Sequence, residues 1–333
     1  MTGQTRRIMI TGILTAVSYL SGACVISAAP SDNRAPDFPP GVFSDNQHYS
    51  LDELRGKVVV LFFYESGCPR CAGSIPERNA IVEQFRGQPV VFFAIGAGDS
   101  ADEVAAYQRR TGLDMPIFVD RLSLMEKRYG TKISLKNIWQ FRVIGPDGRI
   151  VGHRMDETTI NKALAMIERP YDPAAYHDDL AKVVKGLNYG EYKAALRELR
   201  RYEASRDEQV QASAEALRAA VVEEVQGWKQ TADAEADSAP VEALKTYLRV
   251  AKLFPREAFG QEARAEAERL KRSAPIKNEI AASRMYAKMY TAIERIEPAQ
   301  VPELAAYARQ IAEKYPQTPT GRKAAALADD LGA

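Results

Sequence analysis

Apolar residues recur along this chain in two rhythms. In the first half they come as short unbroken runs, Val58-Val59-Val60-Leu61-Phe62-Phe63 and Val90-Val91-Phe92-Phe93-Ala94-Ile95, with a third at 141–144. Each has strand length and is rich in β-branched and aromatic residues, which predicts strands buried on both faces. Helical patterns lie between them. One, near 101–111, opens on Ser100 and Glu103 at capping-box spacing, and Pro146-Asp147-Gly148 is turn chemistry between two strands. Strands and helices in alternation predict an α/β sheet covered by helices on both faces.

Around Glu168-Arg169-Pro170-Tyr171-Asp172-Pro173 the rhythm changes, and two prolines in four residues mark a linker. From Ala174 onward apolar positions fall at i, i+3 and i+4, as in Tyr192, Ala195, Leu196, Leu199 and Tyr202, which predicts amphipathic helices alone. Helix breaks are expected near 186–190, 204–207, 237–240, 254–255, 273–275, 297–302 and 315–320. Ala251-Lys252-Leu253-Phe254-Pro255, followed by Phe259-Gly260, recurs as Ala312-Glu313-Lys314-Tyr315-Pro316, followed by Thr320-Gly321. This faint repeat predicts helical hairpins of tetratricopeptide (TPR-like) type, which usually serve docking or self-association. The stripe Tyr286, Met289, Tyr290 and Ile293 is expected to be core.

Cys68-Pro69-Arg70-Cys71 sits where the first strand run ends and a helical pattern begins. Cysteines three positions apart reach the same edge of a helical turn and can close a small disulfide. The first lies at the helix N-terminus, where unpaired N–H groups and the helix dipole favour a thiolate, so Cys68 is the expected nucleophile. Cys71, further in, is expected to resolve the mixed disulfide. Pro69 suits the first helical turn and Arg70 adds a cation. Zinc is disfavoured, because the chain has one further cysteine, Cys24, and His48, His153 and His177 are scattered. No cofactor or metal is expected.

From Ala35 to about Arg154 the chain resembles the redoxin group of the thioredoxin superfamily, in particular the TlpA-like and ResA-like thiol-disulfide oxidoreductases of bacterial envelopes. The resemblance is carried in family order by Ala35-Pro36-Asp37-Phe38, by 49–57 leading into the Cys68-Cys71 motif, by 90–95, by Pro116-Ile117-Phe118-Val119-Asp120, and by the hairpin 143–151. It implies a thioredoxin-like fold, Cys68 and Cys71 as catalytic residues, protein thiol or disulfide substrates, an envelope electron donor, and exchange in the reducing direction. The motif alone is compatible with either direction.

Three positions depart from that pattern. No proline stands at Ile138-Trp139, where the family usually carries a cis-proline; Gly67 replaces an aromatic before the first cysteine; and Phe62 occupies the place of a buried acid. The missing proline motivates an alternative, a non-catalytic envelope scaffold with a vestigial redoxin domain. Aligned with the related peroxiredoxins, Cys71 falls at the peroxidatic place, but Cys68 replaces the threonine and Trp139 lies where an arginine is expected. Copper delivery of the Sco-like kind requires a histidine facing the thiols, for which His153 is the candidate.

Arg6-Arg7 followed by the uncharged run Ile8 to Ala29 reads as a signal peptide or membrane anchor, long enough to span a bilayer. Ser21-Gly22-Ala23-Cys24 resembles a lipoprotein cleavage box. A net charge of +1 on 333 residues offers no electrostatic bias toward nucleic acid, and 46% hydrophobic with 27% charged residues is ordinary globular composition. The expected organisation is a leader at 1–29, a thioredoxin-like domain at 30–169 and an α-helical domain at 170–333. The expected location is the periplasmic or other extracytoplasmic face of the cell envelope.

Overall fold

The computed structural model describes residues 33–133, 137–138 and 140–332. The expected leader with Cys24, and Trp139, lie outside the described residues. Strand β1 (Val58–Tyr64) is buried at every position, because its run of Val, Leu, Phe and Tyr has no face to give to water. Strands β2 (Val90–Ala97) and β3 (Ile117–Asp120) continue from it in parallel, and β4 (Gln140–Ile144) and β5 (Ile150–Gly152) add an antiparallel hairpin on its other edge. The resulting order is β3-β2-β1-β4-β5, with β1 central. Helices α1 (Pro69–Gly73), α2 (Ile75–Gln84), α3 (Ala101–Thr111), α4 (Leu124–Tyr129) and α5 (Glu157–Leu164) contribute Cys71, Ile75, Tyr107, Met125 and Ile160 to the core around this sheet. This is a thioredoxin-like fold.

The capping box expected before α3 is formed. The Ser100 Oγ accepts the Glu103 N–H at 3.4 Å, and the Glu103 carboxylate accepts the Ser100 N–H at 2.8 Å. Ser100→Ala removes one of these acceptors and is expected to lower stability by about 1 kcal/mol in urea unfolding.

Beyond α5 the described chain contains no strand. Helices α6 (Ala181–Asn188), α7 (Tyr192–Glu203), α8 (Glu208–Glu235), α9 (Pro240–Leu253), α10 (Ala258–Lys271), α11 (Ala274–Glu294), α12 (Val301–Lys314) and α13 (Pro319–Gly332) break where the sequence expects them to. One core runs from Tyr171 to Ile276; a second joins α11, α12 and α13. Tyr286, Met289 and Ile293 are buried in the second core as their spacing predicted, and Tyr290 packs against it half-buried. The faint repeat proves to be a repeated hairpin. Phe254 and Tyr315 close α9 and α12 in nearly the same conformation, φ −127°, ψ 60° and φ −132°, ψ 51°.

Arg34–Ala333 forms one compact unit, so the helical region is not a loosely tethered appendage. Leu124 of α4 belongs to the core of α11–α13. Around it, Arg128 pairs with Asp330 at 2.6 Å and Lys323 with Asp37 at 2.7 Å, while Lys127 donates to the Asp330 carbonyl. No helix among the described residues is long and apolar enough to cross a membrane.

Candidate active site

The central strand β1 ends at Tyr64, the turn Glu65–Gly67 follows, closed by the Cys68 N–H to the Glu65 carbonyl at 3.1 Å, and Cys68 then caps α1. Cys68 is extended, φ −88° and ψ 107°, and its Sγ accepts the Cys71 N–H at 3.2 Å. Pro69 occupies the first helical position, where a missing N–H leaves no bond unmade. Ser74 interrupts the helix, its Oγ donating to the Cys71 carbonyl at 2.8 Å, before α2 begins.

The structure brings the two expected site residues together as free thiols, and treats them differently. Cys68 is partly exposed, whereas Cys71 is 0% exposed. Burial, reinforced by a hydrogen bond with Cys68, pushes the Cys71 thiol up to about 12, against the pull of a backbone N–H from Glu65. A thiol raised in this way is overwhelmingly protonated at pH 7. Brief alkylation of the reduced protein with iodoacetamide at pH 7 is therefore expected to yield a single adduct on Cys68 by peptide mass spectrometry. Equal labelling of Cys71 would refute the assigned burial.

Of the other residues singled out, Arg70 is exposed, and Phe62 is fully buried with its ring stacked on Phe141 at 5.4 Å; Glu65, at the start of the turn, is exposed as well. No cis peptide occurs among the described residues. His153 is exposed, His48 packs edge-on against Tyr290 at 5.0 Å, and His177 lies in the helical region. Among the described residues no group of three or more His, Cys, Asp or Glu side chains is placed to hold a metal.

Sequence reasoning missed the polar groups that hold the turn leading into the dithiol. Ser66 donates to the Asp99 Oδ1 at 2.7 Å, and Arg110 holds the Ser66 carbonyl at 3.0 Å while lying 5.4 Å over the Tyr107 ring. Tyr64 and Tyr107 stack at 4.2 Å between centroids, both fully buried. The available signal was positional: Tyr64 ends the strand that feeds the motif, and Asp99 follows the glycines that end β2.

The sheet order and the cysteine pair at the start of α1 are those of a thioredoxin-like domain. Residues 30–166 match the Redoxin family model, and together with the relatives that follow this supports a thioredoxin-like thiol-disulfide oxidoreductase over that segment. The chain is similar to thiol-disulfide oxidoreductase ResA of Geobacillus thermodenitrificans (strain NG80-2), 29% identical over 130 residues, covering 38% of this chain and 73% of that protein. It is also similar to ResA of Bacillus subtilis (strain 168), 26% identical over 155 residues, covering 44% and 84%. A crystal structure of a thiol:disulfide interchange protein of the thioredoxin family from Chlorobium tepidum TLS aligns over 41% of this chain and 99% of its own, at 22% identity and TM-score 0.35.

Proposed function

We propose that this chain exchanges disulfides with protein substrates through Cys68 and Cys71. The observation that carries the reading is the asymmetry of the pair: one sulfur is reachable from solvent and faces a backbone N–H at a helix start, and its partner is sealed behind it. Positive potential at that helix start suits an attacking thiolate. In the reducing direction Cys68 Sγ attacks a substrate disulfide and forms a mixed disulfide, releasing one substrate thiolate. Cys71 Sγ then attacks Cys68 Sγ, the Cys68–substrate bond breaks, and the second substrate thiolate leaves. Two electrons pass to the substrate, and an envelope electron donor must restore the dithiol.

Export to the cell envelope is part of this proposal, supported by the uncharged run behind Arg6-Arg7 and by the resemblance to envelope oxidoreductases. So is a division into a redoxin domain at 30–169 and a TPR-like helical domain at 170–333 that recruits the substrate, the donor or a second copy. A peroxidase is disfavoured on physical grounds: the cysteine at the peroxidatic place is Cys71, sealed from solvent and held protonated. Insulin reduction by the full chain, compared with Cys68→Ser, tests the enzyme against the scaffold. Equal rates in the two proteins would overturn the reading.

A further inference from the structure

Four cations of the helical region line one cavity. Lys193 and Arg197 lie four positions apart on α7, Arg249 and Lys252 three apart on α9, and all four border a space of about 460 Å³. Spacings of three and four put each pair on one helix face, where like charges disfavour the helix unless an anion lies between them. None of the four makes an ion pair or a side-chain hydrogen bond among the described residues. On the same two helices Arg201 and Lys245 are paired, with Glu198 at 3.2 Å and Glu242 at 2.8 Å. One acid, Glu191, reaches the cavity wall, and its Oε2 lies 3.9 Å from the place of a β-carbon on Gly186 of α6.

Arg249 is the anchor. Its guanidinium lies 4.0 Å over the Trp228 ring and 5.2 Å over that of Tyr192. Stacking uses the flat face and leaves the N–H edge free, so a planar fork of donors is held in place without an acceptor. Such a fork matches a carboxylate, which it binds through two parallel hydrogen bonds. Past Tyr192 and Arg249 the cavity continues into a second, of about 760 Å³, which reaches Pro146 and Asp147 on the β4–β5 hairpin and carries charges of both signs. An elongated groove with its cations gathered at one end suits a chain better than a small ion.

We propose that the groove lined by α7 and α9 binds an extended acidic segment of a partner protein, its carboxylates held by Arg249, Arg197, Lys193 and Lys252. The inference rests on the docking role proposed above for the helical region and supplies its chemistry; it does not depend on the dithiol. Charge complementarity selects the occupant. Four cations face one acid in the lining, on a chain whose net charge is +1. Single-stranded nucleic acid binds where aromatic faces are open for bases to stack on. Here Tyr192 is 6% exposed and Trp228 lies beneath Arg249. The groove also stands apart from the sulfurs: Lys57, just before β1, borders the second cavity, whereas Cys68 follows the far end of that strand.

The test is fluorescence anisotropy of the full chain with fluorescein-labelled octaglutamate, compared with octalysine, a glycine-serine octapeptide and an oligothymidylate of the same length. Octaglutamate is expected to bind tightest, and less tightly as salt is added. Arg249→Gln and Arg197→Gln are each expected to weaken it about fivefold or more, and Lys245→Gln, which removes a paired lysine of α9 outside the cavity, less than about twofold. No binding of octaglutamate would overturn the proposal, as would equal losses in all three variants or tighter binding of the oligothymidylate. Binding of the neutral or basic peptide alone would overturn the acidic assignment while leaving a docking region of other chemistry. A wild-type chain that binds octaglutamate as expected but does not reduce insulin would bring down the dithiol reading and leave this inference standing.

Discussion

Cys68→Ser is expected to abolish catalysed disulfide reduction, while Cys71→Ser stops the reaction one step later with substrate covalently attached. The difference follows from geometry. Cys68 is the sulfur that solvent reaches and toward which the Cys71 N–H points, and a serine hydroxyl there is not ionised at neutral pH. In the proposed mechanism Cys71 never meets the substrate; it breaks the bond that Cys68 has made. In Cys71→Ser the buried hydroxyl fits the same space but cannot attack a disulfide, so the mixed disulfide accumulates. Non-reducing electrophoresis and mass spectrometry should show a stable adduct with a disulfide-bearing protein such as insulin in Cys71→Ser and none in Cys68→Ser. Adducts in both variants would mean that either sulfur is accessible, against the observed burial.

Three glycine-to-alanine substitutions are expected to change stability in opposite directions. At Gly260 a β-carbon would lie 1.8 Å from the Phe254 carbonyl oxygen, and at Gly321 it would lie 1.9 Å from that of Tyr315. Both glycines stand in the first turn of the second helix of a hairpin, against the backbone that closes the first. A carbonyl in a packed turn cannot swing aside as a side-chain tip can, so the two helices must part. Overpacking of this kind costs about 1–3 kcal/mol, and more when backbone has to move. That outweighs the gain of up to about 1 kcal/mol that alanine brings to a helix. Gly227, inside α8, has nothing within 4 Å of its would-be β-carbon, so Gly227→Ala should realise that gain and stabilise the protein by about 0.5–1 kcal/mol. Urea unfolding monitored by circular dichroism gives all three signs. A stabilised Gly260→Ala or Gly321→Ala would mean that the close approach of these turns is not required.

Much of the architecture was legible because it rests on local signals. The runs at 58–63 and 90–95 are apolar without alternation, and such a segment has to be covered on both faces wherever it sits. Ser100 and Glu103, Pro146-Asp147-Gly148 and the prolines after Phe254 and Tyr315 act over a few residues, and the structure uses each as its chemistry requires. The dithiol was legible for the same reason: three positions of spacing and one turn of helix suffice to bring Cys68 and Cys71 together.

What could not be read depends on residues far apart in the chain. Tyr64, Asp99 and Tyr107 come from a strand end, a loop and a helix, and only the parallel pairing of β1 with β2, with α3 packed beside them, gathers them near the turn that leads into the dithiol. The docking of α13 through Asp330 and Lys323 onto Arg128 and Asp37 spans most of the described chain, and no local pattern announces it. The sequence by itself therefore determined the elements, their caps and the pairing of the two cysteines, since those follow from short-range sterics and hydrogen bonding. Tertiary structure alone decided which polar groups from distant segments gather against the turn that leads into the dithiol, because burial and hydrogen bonding between them depend on what the fold brings into contact.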